Sequence, residues 1–157
     1  MTKLLLASLV VVSACHKTAS EPPPAKPASG APIVFVGSDV KAAGDHAGSV
    51  HVKAYNFSDK RVAEYGVLLR YHDASGALLK VKPGTPFEAD FDHWGFSGQK
   101  YLCAPKSWCT FQLDHLDVPD KAASVEIVPS TVTAIAGDNI HFEDKPLYEA
   151  SMTEWPK

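Results

Sequence analysis

The stretch VHVKAYNFSDKRVAEYGVLLRYHDASG, residues 50–76, contains the pattern that decides the fold. Residues 50–55 alternate apolar and polar side chains, as a strand with one buried face does. Residues 65–72 repeat the alternation and place four large side chains on one face: Tyr65, Val67, Leu69 and Tyr71. DASG then has Asp first and Gly fourth, the pattern of a type I turn. The stretch therefore predicts two β-strands, each followed by a tight turn.

Further β-rich runs surround this stretch, and turn residues separate them. They cover residues 33–37, 77–81, 87–92, 109–114, 124–128 and 131–136. No segment shows the sustained 3.6-residue period and end caps of a long helix. About seven short strands at this spacing predict an all-β fold, a β-sandwich.

Residues 50–76 also resemble the start of small immunoglobulin-like modules on bacterial lipoproteins and secreted proteins. The resemblance lies in Asn56-Phe57-Ser58, Lys60-Arg61, the hydrophobic strand and the turn YHDASG. It implies an immunoglobulin-like β-sandwich and a role as an adaptor or binding module. From Phe91 to Thr110 the chain departs from that pattern, with an insertion rich in Trp, Gly and Cys.

The first fifteen residues, MTKLLLASLVVVSAC, predict export from the cytoplasm. Lys3 precedes an apolar run over residues 4–12, which is shorter than the ~20 residues of a membrane helix. VSAC, residues 12–15, resembles the lipobox of bacterial lipoproteins. The resemblance implies that residues 1–14 are removed and that Cys15 receives a diacylglycerol and an acyl chain such as palmitate. Ordinary signal cleavage, which would leave a free thiol at Cys15, stays open.

A proline-rich segment separates this start from the rest of the chain. Residues 16–32 include five prolines and no aromatic residue, so residues 15–32 are expected to form a lipid anchor and a disordered tether. Extended polyproline would reach about 50 Å. The seven Phe, five Tyr and three Trp all lie in residues 33–157, the predicted folded domain.

The expected location is the cell envelope, with the domain in the periplasm or at the cell surface. His16, rather than Asp, follows the lipobox cysteine, which favours the outer over the inner membrane by analogy with enteric lipoproteins. The net charge is -3 and only two of the 15 basic residues are Arg. Nucleic acid is therefore not expected as a partner, because phosphate binding needs a dense basic face.

The three cysteines are explained together. Lipidation of Cys15 leaves Cys103 and Cys109, which flank a proline in a chain predicted to enter an oxidising compartment. We therefore predict a Cys103–Cys109 disulfide. The pair lacks the Cys-x-x-Cys spacing of redox centres, and no CxxC or HxxxH pattern would complete a zinc site.

The insertion between residues 93 and 108 is the predicted contact site. Aromatic residues dominate binding hot spots, and here they occur with glycines beside the predicted disulfide. The hypothesis assigns contact with an envelope protein or glycan to four residues: Trp94, Phe96, Tyr101 and Trp108. The alternative is that these rings pack into a small core under the loop.

Acidic and histidine side chains allow a second hypothesis. Asp92, His93 and His115 could bind a divalent metal at one end of the sandwich, which would make the chain a periplasmic metal-binding protein. Scattered polar residues at strand ends are the simpler interpretation, because neighbours in a strand point to opposite faces. No nucleophile elbow, HExxH pattern or phosphate loop occurs, so neither an enzyme nor a cofactor is expected.

Overall fold

The computed structural model describes residues 21–43, 47–137 and 141–156. The predicted signal peptide, Cys15 and residues 16–20 of the tether lie outside these ranges. No helix within them could span a membrane.

Nine β-strands and one short 3-10 turn make up the regular structure of the described residues. The strands are β1 Ile33–Lys41, β2 Gly48–Asn56, β3 Val62–His72, β4 Leu78–Leu79, β5 Asp92–Ser97, β6 Ser107–Leu116, β7 Ser124–Ala136, β8 His141–Phe142 and β9 Tyr148–Glu149. The turn covers Gln99–Tyr101. The predicted all-β sandwich is confirmed.

Two antiparallel sheets form the sandwich. Sheet A has the order β1-β2-β6. In sheet B, β3 pairs with β4 and β5 on one side and with β7 on the other, and β7 also pairs with β8 and β9. Because side chains alternate along a strand, one face of each sheet is apolar and the two apolar faces enclose the core. Core residues from both sheets include Phe35, Val52, Tyr65, Phe111 and Val132.

Two strand predictions differ from the structure. Residues 87–92 are predicted to form a strand, but only Ala89, in an isolated bridge, and Asp92, where β5 begins, have strand pairing. The Val81–Ala89 bridge closes a loop over residues 82–88. Phe87 and Glu88 lie in this loop although they belong to the alternating pattern. Residues 124–136 form the single strand β7, since a register shift beside Pro129 lets the strand continue.

The turn after β3 has the predicted chemistry. The Gly76 amide donates to the Asp73 carbonyl at 3.0 Å, and Gly76 has a φ of 85°. The Asp73 carboxylate accepts from the amides of Ser75 and Ala77 at 2.8 and 3.0 Å. An aspartate that bonds its own turn in this way favours the reversal of the chain.

Candidate functional site

Asn56 connects three segments at one end of sheet A. Its side chain is completely buried. The Nδ2 amide lies 2.8, 3.2 and 3.1 Å from the carbonyl oxygens of Lys60, Cys103 and Ala104. The Oδ1 atom accepts from the amide and the hydroxyl of Ser58 at 2.9 and 2.7 Å. The turn after β2 is thereby bonded to the loop that precedes β6.

The predicted disulfide fixes the same loop. Cys103 and Cys109 are bonded, with their Cα atoms 5.3 Å apart. Cys103 is buried and exchanges two backbone hydrogen bonds with Val62, at 2.8 and 3.1 Å. The loop is therefore held by a covalent bond, by Asn56 and by a strand-like bridge.

Trp108 projects from this loop onto the outer face of sheet A. Its ring lies 5.3 Å from the ring of Tyr55, which lies 4.8 Å from that of Phe57. The Lys53 ammonium sits 4.4 Å from the centre of the Trp108 ring, within the range of a cation–π contact. The Tyr55 hydroxyl donates to the Lys106 carbonyl at 3.0 Å. Tyr55 is itself only 8% exposed and supports the Trp108 ring from below. We call Lys53, Tyr55, Phe57 and Trp108 the Trp108 surface, of which Lys53, Phe57 and Trp108 are accessible.

Part of the predicted tether contacts the Trp108 surface. The Trp108 indole donates to the Pro22 carbonyl at 3.3 Å, and Glu21 forms an ion pair with Lys53. Further along, the Pro32 carbonyl accepts from the Phe57 amide at 2.7 Å. Glu21, Pro22 and Pro32 thus make specific contacts with the domain.

The structure places two of the four predicted contact residues in the core. Phe96 and Tyr101 are 8% and 5% exposed, and their rings lie 5.6 Å apart. Tyr101 also packs edge-on against Phe111 at 5.5 Å. Neither ring faces a partner in this conformation. This agrees with the alternative of a small core under the loop.

The remaining two predicted contact residues stay half-buried but belong to different sheets. Trp94 lies on β5 in sheet B and packs against the core. Its indole donates to Asp92 Oδ2 at 2.7 Å. Trp108 lies on β6 in sheet A. Of the four residues, only Trp108 lies in the aromatic cluster on the outer face.

The hypothetical metal ligands are not brought together. Asp92 and His93 are neighbours on β5, whereas His115 lies on β6 in the other sheet. The Asp92 carboxylate is engaged by Trp94 and lies 3.7 Å from the Lys82 ammonium. Within the described ranges, no three His, Cys, Asp or Glu side chains are arranged to hold a metal ion.

Sequence reasoning missed most of the Trp108 surface. Lys53, Tyr55 and Phe57 belong to the strand and turn that predicted the fold, and they meet Trp108 only through the pairing of β2 with β6. The pairing sets Tyr55 opposite Trp108. A signal was present in the alternation of residues 50–55, which puts Lys53 and Tyr55 on one face. Nothing in the sequence linked that face to position 108.

The Trp108 surface presents groups that make aromatic, cation–π and hydrogen-bond contacts. It combines aromatic rings with one ammonium group, on a backbone fixed by the disulfide and Asn56. In comparisons with known proteins, no family model, curated protein or solved structure matches the chain.

Proposed function

We propose that the protein is a non-catalytic binding or assembly module of the bacterial cell envelope, attached to a membrane by lipid on Cys15. The Trp108 surface is its contact site for an envelope protein or glycan. The observation that carries the proposal is the partly exposed Trp108 ring beside a loop held by the disulfide and Asn56. Aromatic anchors on a fixed backbone bind with little loss of conformational entropy.

The charge of the Trp108 surface limits which chemical groups its partner can present. Lys53 and Lys106 flank Trp108, and each also contacts a carboxylate, Glu21 or Asp59. Trp and Lys together suit the aromatic, hydroxyl-bearing or acidic groups of envelope proteins and glycans. A partner that carries a carboxylate can replace Glu21 beside Lys53.

The proposed anchor rests on the lipobox resemblance of residues 12–15. It places the protein in the envelope, at the outer membrane in preference to the inner membrane. Cells fed labelled palmitate are expected to label the wild type but not Cys15→Ala, because the thiol and the new amino terminus carry the acyl chains. Equal labelling of the two chains would overturn the anchor.

Crosslinking from beside Trp108 tests the contact site. Thr110 is exposed and pairs with Lys53, so a photoreactive residue at position 110 faces any molecule on the surface. We expect one discrete adduct in intact cells and its loss in the Trp108→Ala background. Position 75, in the exposed turn after β3, is the matched control and is expected to give no such adduct.

Two readouts separate lost contact from lost folding. Trp108→Ala is expected to stay folded with a moderately lower melting temperature, because the indole packs on Tyr55 at the outer face and is not part of the core. An adduct from position 110 that persists in Trp108→Ala would overturn the contact site, as would an identical adduct from position 75.

A further inference from the structure

A hollow of about 460 Å³ lies on the outer face of sheet B. Tyr65, Val67 and Leu69 of β3 face the core, so the alternating positions Glu64 and Gly66 lie on the outward side. Register partners share a face, and three rows can be read across the sheet: Ser97–Glu64–Thr133, Gly95–Gly66–Thr131–Glu149 and His93–Leu68. The middle row has two adjacent glycines. Gly66 is buried, and His93 Nε2 lies 3.4 Å from the position that a Cβ would take there, so the open floor of the hollow lies at Gly95.

The two glycines have different reasons to be there. A Cβ on Gly66 would lie 2.5 Å from Thr131 Oγ1 and 2.7 Å from Ser130 Oγ, so close packing with β7 excludes a side chain. A Cβ on Gly95 would have no heavy atom within 4 Å, and the φ of Gly95 is not positive. Glycine within a strand weakens it and often marks close approach of a ligand to the backbone. Neither packing nor backbone conformation explains Gly95.

Polar groups surround this floor. Glu64, His93 and Glu149 line the hollow together with the hydroxyls of Ser97, Thr131 and Thr133. Glu64 and Glu149 form no ion pair with another described residue. Two carboxylates without cations and several hydroxyls make a site that accepts hydrogen bonds and attracts positive charge.

We infer that this hollow binds a small organic cation that also carries hydroxyl groups, such as an amino sugar. Glu64 and Glu149 lie on β3 and β9 with β7 between them and two residues apart along β7, about 12 Å apart at the backbone. Their side chains can therefore reach a ring that lies over Gly95 beside the His93 imidazole. The ammonium pairs with a carboxylate, and the hydroxyls bond to the threonines and His93. The site lies on the other sheet from the Trp108 surface and does not depend on it.

Calorimetric titration of the full chain in detergent with glucosamine tests this inference. N-acetylglucosamine keeps the ring but loses the charge, and glucose lacks the nitrogen altogether. We expect glucosamine to bind at least tenfold more tightly than either sugar. Glu149→Gln is expected to weaken glucosamine binding about tenfold, since a charge-assisted bond is lost.

The floor is tested by Gly95→Val, which fills open space on an exposed face. We expect it to fold with an unchanged melting temperature and to abolish glucosamine binding. Glu126→Gln, on β7 outside the hollow, is the matched control, and Trp108→Ala is also expected to bind normally. If Gly95→Val does not fold, Glu64→Gln and Glu149→Gln decide the question. Absence of glucosamine binding, equal binding of all three sugars, or unchanged binding in the carboxylate variants would overturn the inference.

Discussion

At the scale of single residues, Asn56 joins segments that are far apart in the chain. It is buried, and it bonds to carbonyls that lie 4, 47 and 48 residues further along the chain. A buried amide that serves several carbonyls is costly to remove, because those carbonyls then lose their partner without gaining water. Asn56 therefore links the turn after β2 to the position of Trp108.

Asn56→Ala is expected to lower the free energy of unfolding by about 3 kcal/mol. Ser58→Ala is the control, and it should cost about 1 kcal/mol, since Asn56 Oδ1 keeps its bond from the Ser58 amide. Urea denaturation of both variants measures the difference. Equal losses would show that Asn56 acts only within its own turn.

A second prediction at the scale of single residues concerns how the stability contributed by Asp73 depends on pH. Hydrogen bonds from the Ser75 hydroxyl, then from the amides of Ala77 and Ser75, hold the pKa of Asp73 below its ordinary 3.8. A pKa that is lower in the folded state adds stability above the unfolded value and loses it as pH falls through the folded value. We expect Asp73→Asn to lower the melting temperature at pH 7. The difference from the wild type should shrink below about pH 4.

Thermal melts of both chains between pH 7 and pH 2 check this prediction. Asp120→Asn serves as the comparison, an exposed aspartate on another turn. A difference between Asp73→Asn and the wild type that stays constant down to pH 2 would contradict the role of the charge.

At the scale of elements, the disulfide stabilises the segment that precedes β6. Closing so short a loop contributes about 2 kcal/mol on the chain-entropy model. Cys103→Ala/Cys109→Ala is therefore expected to lower the free energy of unfolding by about that amount, measured by urea denaturation. Alanine avoids burying a hydroxyl at position 103. If the double variant unfolds at the same urea concentration as the wild type, Asn56 and the Val62 bridge are enough to hold the loop without the disulfide.

The two glycines of sheet B give an element-scale prediction with a built-in control. Gly66→Ala is expected to cost about 2 kcal/mol, because its Cβ would press on Thr131 and Ser130 where β7 bulges. Gly95→Ala should be neutral or slightly stabilising, since its Cβ meets nothing. Chemical denaturation of the two variants compares them. A similar loss in both would mean that β5 is held more tightly than its contacts indicate.

An element could be predicted from the sequence when the interactions that form it join residues close together in the chain. Residues 50–55 and 65–72 were predicted as strands because alternation is local, and the turn at Asp73 because its bonds span four residues. Residues 87–92 alternate as well, but a loop closed by Val81 and Ala89 uses the same pattern. Alternation alone does not tell a strand from a loop without its pairing partner.

At the scale of the whole molecule, the candidate site was only partly predictable. Trp108 was predicted as a contact residue, but Phe96 and Tyr101 were grouped with it although they are buried. Crowding of aromatic residues in sequence says nothing about which sheet face each ring takes. The contacts of Lys53 and Pro22 with Trp108 span 55 and 86 residues. Only the assembled sandwich brings them together.

The contacts of Glu21 and Pro22 limit how far the domain can stand from a membrane. With lipid on Cys15, only six residue steps separate the anchor from Glu21, which is about 20 Å of fully extended chain. This is well below the about 50 Å of a fully free tether. Two variants, one with Trp108 and one with Trp155 as its single tryptophan, are bound to vesicles that carry fluorescence quenchers on their headgroups. We expect the fluorescence of Trp108 to be quenched more strongly than that of Trp155.

Trp155 is the control for Trp108 because the two residues lie on opposite outer faces of the sandwich. Trp155 packs against Arg70 on the outer face of sheet B, whereas Trp108 lies on the outer face of sheet A. A long Gly-Ser insertion between Ser20 and Glu21 is expected to remove the difference in quenching. Equal quenching of the two tryptophans in the unmodified chain would show that Glu21 and Pro22 do not hold their contacts at the membrane.

The hydrogen bond between Trp108 and the Pro22 carbonyl therefore also affects how the protein encounters other molecules. If Cys15 carries the proposed lipid, this short connection keeps the domain in a thin layer next to the membrane, and its search for a partner is two-dimensional. The effective concentration of partners in the same membrane is then high, while partners on the far side of the periplasm lie beyond reach. Releasing Pro22 would exchange frequent encounters nearby for rarer ones at a distance.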